Sequence, residues 1–573
     1  MTPKQVHYEV YSRPAGSGSW ALEFATEDED RAFESAEETR AARRTAAVRV
    51  TRESLDPATG RFSSVVLATL DEGSEAPRRA SRSAARRPAC AEPSELYGDA
   101  ARATIGRVLS AWLQAQNATV FELLHNPDLA GRLEAAGGEL QHALQKVSIP
   151  EAKARGVSTH EAYRGFLALF EGALRRLRAD ALARRWPEVT VQSFAQAAEA
   201  LKSAQDGAYR LSAGIAQGLA TRRDWRSKVD QLLDLAEAAP PGEAGVFANG
   251  VLEQALREIA GRQSALQEVL GVGADLGPRL AGMIRLAAPE AVEAAIAQDP
   301  GLAEHFQGDE GVARRLAHRL QRPEFRPLAA ELGRRVLQEL SGPRRLRPSN
   351  AEAEVGCLRA LAFVLSRAPQ DFFRAADVAV ALEARSSGLL RGDFIGSYLE
   401  GRASVLDEIR ALVRLAEEVT GAANKRAAAR WIESALTGVK FERDLRASGD
   451  PPGVILTVLA RLQKSLGKAC LAEADERSLA AVVGGVGGKI EAEANLVAQI
   501  SKSSQAALDR LVPLLAIAAG EAAPEGPASS RGWAEAQKLL RDPAVRSRLS
   551  QAPDDLQRVK ALVAKAVRTQ DKG

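Results

Sequence analysis

Four glycines crowd into five residues of "SLAAVVGGVGGKIEAEANL" (478–496), and Lys489 follows them. A glycine-rich turn ending in lysine is what a phosphate cradle needs, because backbone amides must close on the anion. The P-loop spacing G-x-x-x-x-G-K-[ST] fails here at two named positions. Counted back from Gly488-Lys489, the first glycine is replaced by Val483, and the magnesium-holding hydroxyl is replaced by Ile490. A helical apolar stripe (Leu479, Val482, Val483, Val486, Ile490, Val497, Ile500) runs straight through the glycines. The segment reads as a helix, in which each glycine costs about 1 kcal/mol against alanine. Something must offset that cost. Gly484, Gly485, Gly487 and Gly488 are therefore expected to mark the close approach of a neighbouring helix, or a kink or hinge.

Other chemistries also fail at identifiable residues. "LGVGADLGPRL" (270–280) spaces Gly271, Gly273 and Gly277 one residue too long for a dinucleotide fingerprint, and a helical pattern precedes it where a strand should stand. "HEAYR" (160–164) opens like a zinc-protease helix, but Arg164 occupies the second histidine position. The histidines (7, 125, 142, 160, 305 and 318) are scattered, with no pair at ligand spacing. No G-x-S-x-G elbow is present. The sequence thus assigns no catalytic, cofactor-binding or metal-binding residue and implies no cofactor. Carboxylates assembled from distant parts of the chain are not legible by this route.

What remains is interaction chemistry. "RRASRSAARR" (78–87) places Arg78, Arg79, Arg82, Arg86 and Arg87 in a stretch without an acid, suited to an acidic partner. No aromatic residues interleave these arginines, so base stacking is not suggested and nucleic acid is not the expected partner. Trp186 and Trp225 lie beside arginines and are candidate interface anchors, although core packing is the commoner fate of tryptophan.

The elements that carry these residues follow from periodicity. "VHYEVY" and "WALEFAT" alternate as half-buried strands do, "TEDEDRAFESAEETRAARR" reads as a helix capped by Thr26 with Glu27–Asp30 in its first turn, and "AAVRVTRE" and "FSSVVLATL" alternate again. Residues 1–70 are thus expected to form a small α+β domain ordered β-β-α-β-β. Residues 71–95 form a Pro/Ser/Arg linker that cannot bury enough apolar surface to offset its ordering entropy. Beyond it only helical periodicity appears. In "ASVLDEIRALVRLAEEV" the residues Val405, Leu406, Ile409, Leu412, Val413, Ala416 and Val419 form one stripe, and "VLEQALREIAGRQSALQEVL" reads as a single helix from Val251 to Leu270. The fold class expected is predominantly α: a large irregular helical array, solenoid-like or in two lobes (96–341 and 342–520), with a short helical cap at 521–573.

Composition agrees. The 573 residues include 77 basic and 74 acidic groups, a formal charge of +3, and only 5% aromatics. Only 15 of the basic residues are lysines. The three cysteines are widely separated, which argues against a disulfide framework and for a reducing compartment. The first residues have no apolar signal-like run, and no stretch is long enough to span a membrane, so a cytoplasmic location is expected. The function expected is a non-enzymatic scaffold or adaptor that binds a protein partner. The alternative is a regulatory protein with a small-ligand pocket between helices. An enzyme with dispersed carboxylates and a nucleic-acid binder rank behind both.

Overall fold

The structure, a computed structural model, describes residues 6–14, 20–26, 32–33, 35–36, 39, 45–55, 62–71, 89–308 and 311–571. The chain forms two compact units: Met1–Ala89 with Ile149–Ala162, and Cys90–Ser148 with Tyr163–Gly573.

The first unit holds a four-stranded antiparallel sheet. Strands β1 (Val6–Pro14), β2 (Ala21–Thr26), β3 (Thr45–Leu55) and β4 (Phe62–Asp71) lie in the order β2-β1-β3-β4. The period-two pattern sets the faces: Val10 pairs with Val50, and Val48 with Ser12, so alternate residues point one way. Val10, Val48 and Val50 bury themselves against Ala32 and Ala36, which belong to the helical residues between β2 and β3. The opposite face is polar and aromatic. There the Arg49 guanidinium lies 4.6 Å from the Trp20 ring and 5.3 Å from the Tyr11 ring. Trp20 is thus held by cations rather than by the small core. The proposed acidic first turn, Glu27–Asp30, lies outside the described residues.

The second unit is helical throughout, so the chain as a whole is predominantly α with an N-terminal α+β part. Among the described residues no helix is long and apolar enough to cross a membrane. The stripe in "ASVLDEIRALVRLAEEV" behaves as its spacing predicts. The Ser404 hydroxyl accepts from Asp407 N at 3.2 Å to start a helix at Val405, and Val405, Ile409, Leu412, Val413 and Ala416 are buried. Helices pack mostly on near neighbours in sequence, for example Pro452–Leu466 on Glu473–Ala494 and Ala507–Ala518 on Pro527–Arg541. One buried apolar cluster continues through these contacts from Phe121 to Ala566.

The connection "GPRRLRPSN" (342–350) is pinned on both sides by buried charge. Arg385, 5% exposed, donates to the carbonyls of Leu340 (2.8 Å), Glu339 (3.0 Å) and Arg344 (2.6 Å). It thereby caps the C-terminal end of the helix Arg326–Ser341, where carbonyls lack partners and the helix dipole favours a cation. Glu354, 1% exposed, accepts from the amides of Leu346 and Arg347 at 2.9 and 2.7 Å.

A second buried cluster, Leu109–Leu177 with Tyr209, contains His125. Its ring lies 5.2 Å from that of Tyr97 and 5.0 Å from that of Phe121, and its Nδ1 is 2.7 Å from Phe121 O. A carbonyl only accepts, so Nδ1 carries the proton. Burial pushes His125 down to about 3; Arg102 and Arg176 push the same way, against the hydrogen bond to Phe121 O. The unfolded chain therefore binds a proton near pH 6.5 that the folded chain refuses. Stability from this group is complete above that pH and falls as pH drops from about 6.5 toward about 3. The expected slope is up to about 1.4 kcal/mol per pH unit. Urea midpoints measured from pH 7 to 4.5 for wild type and His125→Phe should converge as pH falls; parallel curves would remove His125 as the source.

Candidate interaction groove

The structure puts the residues singled out in the sequence in different places. Arg78, Arg79, Arg82, Arg86 and Arg87 lie outside the described residues. Trp186 is half-buried against the cluster that holds Trp112 and Tyr209. Trp225 is buried, with Lys228 Nζ 4.9 Å and Arg262 Cζ 5.7 Å from its ring. Among the described residues no three His, Cys, Asp or Glu side chains stand where they could hold a metal ion.

The four glycines lie inside one helix, Glu473–Ala494, and divide by what faces them. A Cβ on Gly484 would fall 2.2 Å from Glu525 O, one on Gly487 2.3 Å from Pro524 Cγ, and one on Gly488 2.8 Å from Pro527 Cβ. The chain that seats on this face also uses glycine: Gly526 has φ 137°, and a Cβ there would fall 3.2 Å from Gly484 Cα. Gln463 clamps the same chain, donating to Glu525 O at 3.0 Å and accepting from Glu525 N at 2.6 Å. Gly485 faces open space instead. The close approach is by the Pro524–Pro527 segment, at whose end the helix Pro527–Arg541 begins. Gly484→Ala is expected to cost about 1–3 kcal/mol by overpacking against backbone. Gly485→Ala is expected to gain about 0.5–1 kcal/mol from helix propensity. Thermal melts of the two single variants separate these effects, and equal shifts would refute the difference.

Gly485 lines a groove of about 850 Å³ with Val439, Val482, Glu442, Arg446 and Lys489. Its charges answer one another. Glu442 takes Lys489 at 2.6 Å and Arg446 at 3.1 Å, and Arg446 also reaches Glu493 at 2.8 Å.

A second groove, about 860 Å³, differs in this respect. One wall is the helix Asp99–Val108, which contributes Arg102 and Gly106. The other is the helix Glu243–Gly261, which contributes Gln254, Arg257 and Glu258, followed by Gln263, Ser264 and Gln267. Arg102 is buried and binds Glu258 through Nε at 2.8 Å and Nη2 at 2.7 Å. The other Glu258 oxygen accepts from Phe121 N at 2.6 Å, so both oxygens of that carboxylate are engaged. Arg257 is committed to Glu253 on its own helix at 2.5 Å. Close to Trp225, Lys228 pairs with Glu122 at 2.7 Å, each 3% exposed. Glu122 also closes a capping box with Thr119 at the start of the short helix Val120–His125.

Arg262 is the exception. The Val251–Leu270 pattern reads as one helix, but the chain breaks between Gly261 and Arg262, and a second helix, Gln263–Leu270, begins. Arg262, at φ −88° and ψ 127°, is extended and serves as the last position of one helix and the first of the next. Glycine holds helical geometry weakly, and Gly261 supplies the local sign of the break. The turn takes Arg262 away from Glu258, which one further helical turn would have brought alongside. Among the described residues the Arg262 side chain makes no ion pair or hydrogen bond; it rests half-buried by the Trp225 ring. Burial pushes its guanidinium down, against the more distant Glu258 and Glu122 charges. No side chain caps the helix that follows it.

Compared with family models, with curated proteins and with solved structures, the chain matches none.

Proposed function

We propose that this chain is a non-enzymatic helical scaffold that holds a protein partner in the groove beside Arg262. The observation that supports the reading is the half-buried guanidinium, without a counter-ion among the described residues, set in an open groove of about 860 Å³. A partly desolvated charge with no partner in its own chain is stabilised when another molecule supplies one. The glutamines and Ser264 around it give the groove a hydrogen-bonding rim of the kind interfaces use. In this reading the sheet unit is a separate docking module, and the chain works in the cytoplasm, as its three free cysteines suit.

The test places a photo-crosslinking residue at Ser264 and, for comparison, at exposed Val380, in full-length protein and in a chain lacking residues 1–75. Irradiation in the native lysate, with and without nuclease, should give one nuclease-resistant protein adduct from position 264 and none from 380. Loss of a different, uncrosslinked partner on removal of 1–75 would assign the second interaction to the sheet unit. Adducts of equal yield at both positions would overturn the groove reading.

The groove volume also lies in the range of small-ligand sites, and this favours a second reading as a ligand-regulated protein. Stabilisation by a member of a metabolite panel, lost in Arg262→Gln, would support it.

A further inference from the structure

We infer that Arg262 is an anchoring site for a carboxylate, and that the occupant of the groove is an acidic stretch of polypeptide. The inference rests on the scaffold reading above and names the chemistry of its partner.

Three observations carry it. First, the charge is available: Arg102 and Arg257 are both spent on carboxylates of this chain, whereas Arg262 has none within ion-pair distance among the described residues. Second, it is presented rather than buried away. Trp225 supports one side of the planar group, and Ser264 stands on the exposed first turn of the following helix, whose start no side chain caps. A guanidinium fork beside free backbone amides suits the two oxygens of a carboxylate. Third, the groove shares Arg257 and Gly261 with a cleft of about 410 Å³ lined by Arg334 and Arg335. Those arginines are paired with Glu331 and Glu339, so the path beyond the anchor is polar and near neutral. One unmatched cation beside a polar, near-neutral cleft fits an extended chain that carries acidic side chains better than a compact polyanion.

The probe is a capped hexaglutamate peptide carrying a fluorophore, with capped hexaglutamine and inorganic phosphate as the comparison arms. Binding is read by anisotropy on the full-length protein at two ionic strengths. Hexaglutamate should bind, with affinity falling as salt rises, and hexaglutamine should not. Arg262→Gln should weaken hexaglutamate roughly tenfold. Ser264→Glu, an exposed change that leaves the core untouched, should do the same by repulsion. Arg262→Lys should fall between, because the charge remains and the fork is lost. Circular dichroism confirms that each variant is folded. Unchanged hexaglutamate affinity in both Arg262→Gln and Ser264→Glu would overturn the anchor. Phosphate that binds through Arg262 while hexaglutamate does not would overturn the peptide occupant. The two readings fail separately: a Ser264 adduct without Arg262-dependent peptide binding removes the anchor alone, and the converse removes the scaffold alone.

Discussion

Lys228→Met should destabilise the protein by about 3–5 kcal/mol, as should Glu122→Gln, whereas the double variant should lose far less than the sum. Both partners are 3% exposed and 2.7 Å apart. Removing one leaves the other as an uncompensated charge in a low-dielectric setting, which is where the large cost arises. Lys228 also donates to Asn117 O, and Glu122 accepts from Thr119 N at 3.0 Å, so each residue fixes a turn of backbone as well as its partner. The pair ties the Val120–His125 helix to the Trp225–Glu237 helix. Denaturant unfolding of the four species gives the coupling. A coupling energy below about 1 kcal/mol would mean that water reaches the pair and that it behaves like a surface bridge.

Arg385→Ala should cost a similar amount, about 3–5 kcal/mol, with the damage localised. Three carbonyls at the end of the Arg326–Ser341 helix and in the following turn would lose a charged donor in one step. Arg385→Lys should restore only part of the loss, since one ammonium cannot reach three divergent carbonyls as a guanidinium does. Hydrogen exchange should rise in peptides covering 339–346 before the rest of the helical unit responds. Uniform acceleration across the unit would show instead that the cap matters only to global stability.

Much of the fold was legible because it depends on local periodicity. Alternation in "VHYEVY" and "AAVRVTRE" yields the paired strands, and the stripe from Val405 to Val419 yields a helix with the expected buried face. The glycine run could be recognised as helix from the apolar residues on either side. What lay beyond local pattern was contact at a distance. Nothing near Gly484 announces Glu525, and nothing near Lys228 announces Glu122. The groove was missed for a related reason. Its central residue owes its position to a helix break that periodicity conceals, because Val251–Leu270 keeps its apolar spacing across Gly261. Only the Gly-Arg pair inside the run hinted at it. Trp225, by contrast, was singled out for its arginine neighbour in sequence, and the cations that meet its ring are Lys228 and Arg262.

The seat formed by Gly484, Gly487 and Gly488 has a consequence for the order in which the chain is made. Its cover, Pro524–Pro527, is translated about 40 residues later, so at 5–20 residues per second the face waits roughly 2–8 s on the ribosome. During that interval the bare backbone at Gly484, Gly487 and Gly488 has no lid. A nascent chain stalled after this helix has left the ribosomal exit tunnel, but before Pro524–Pro527 has followed it, therefore presents a glycine face that the released protein covers, and it is there that a chaperone would first find a hold.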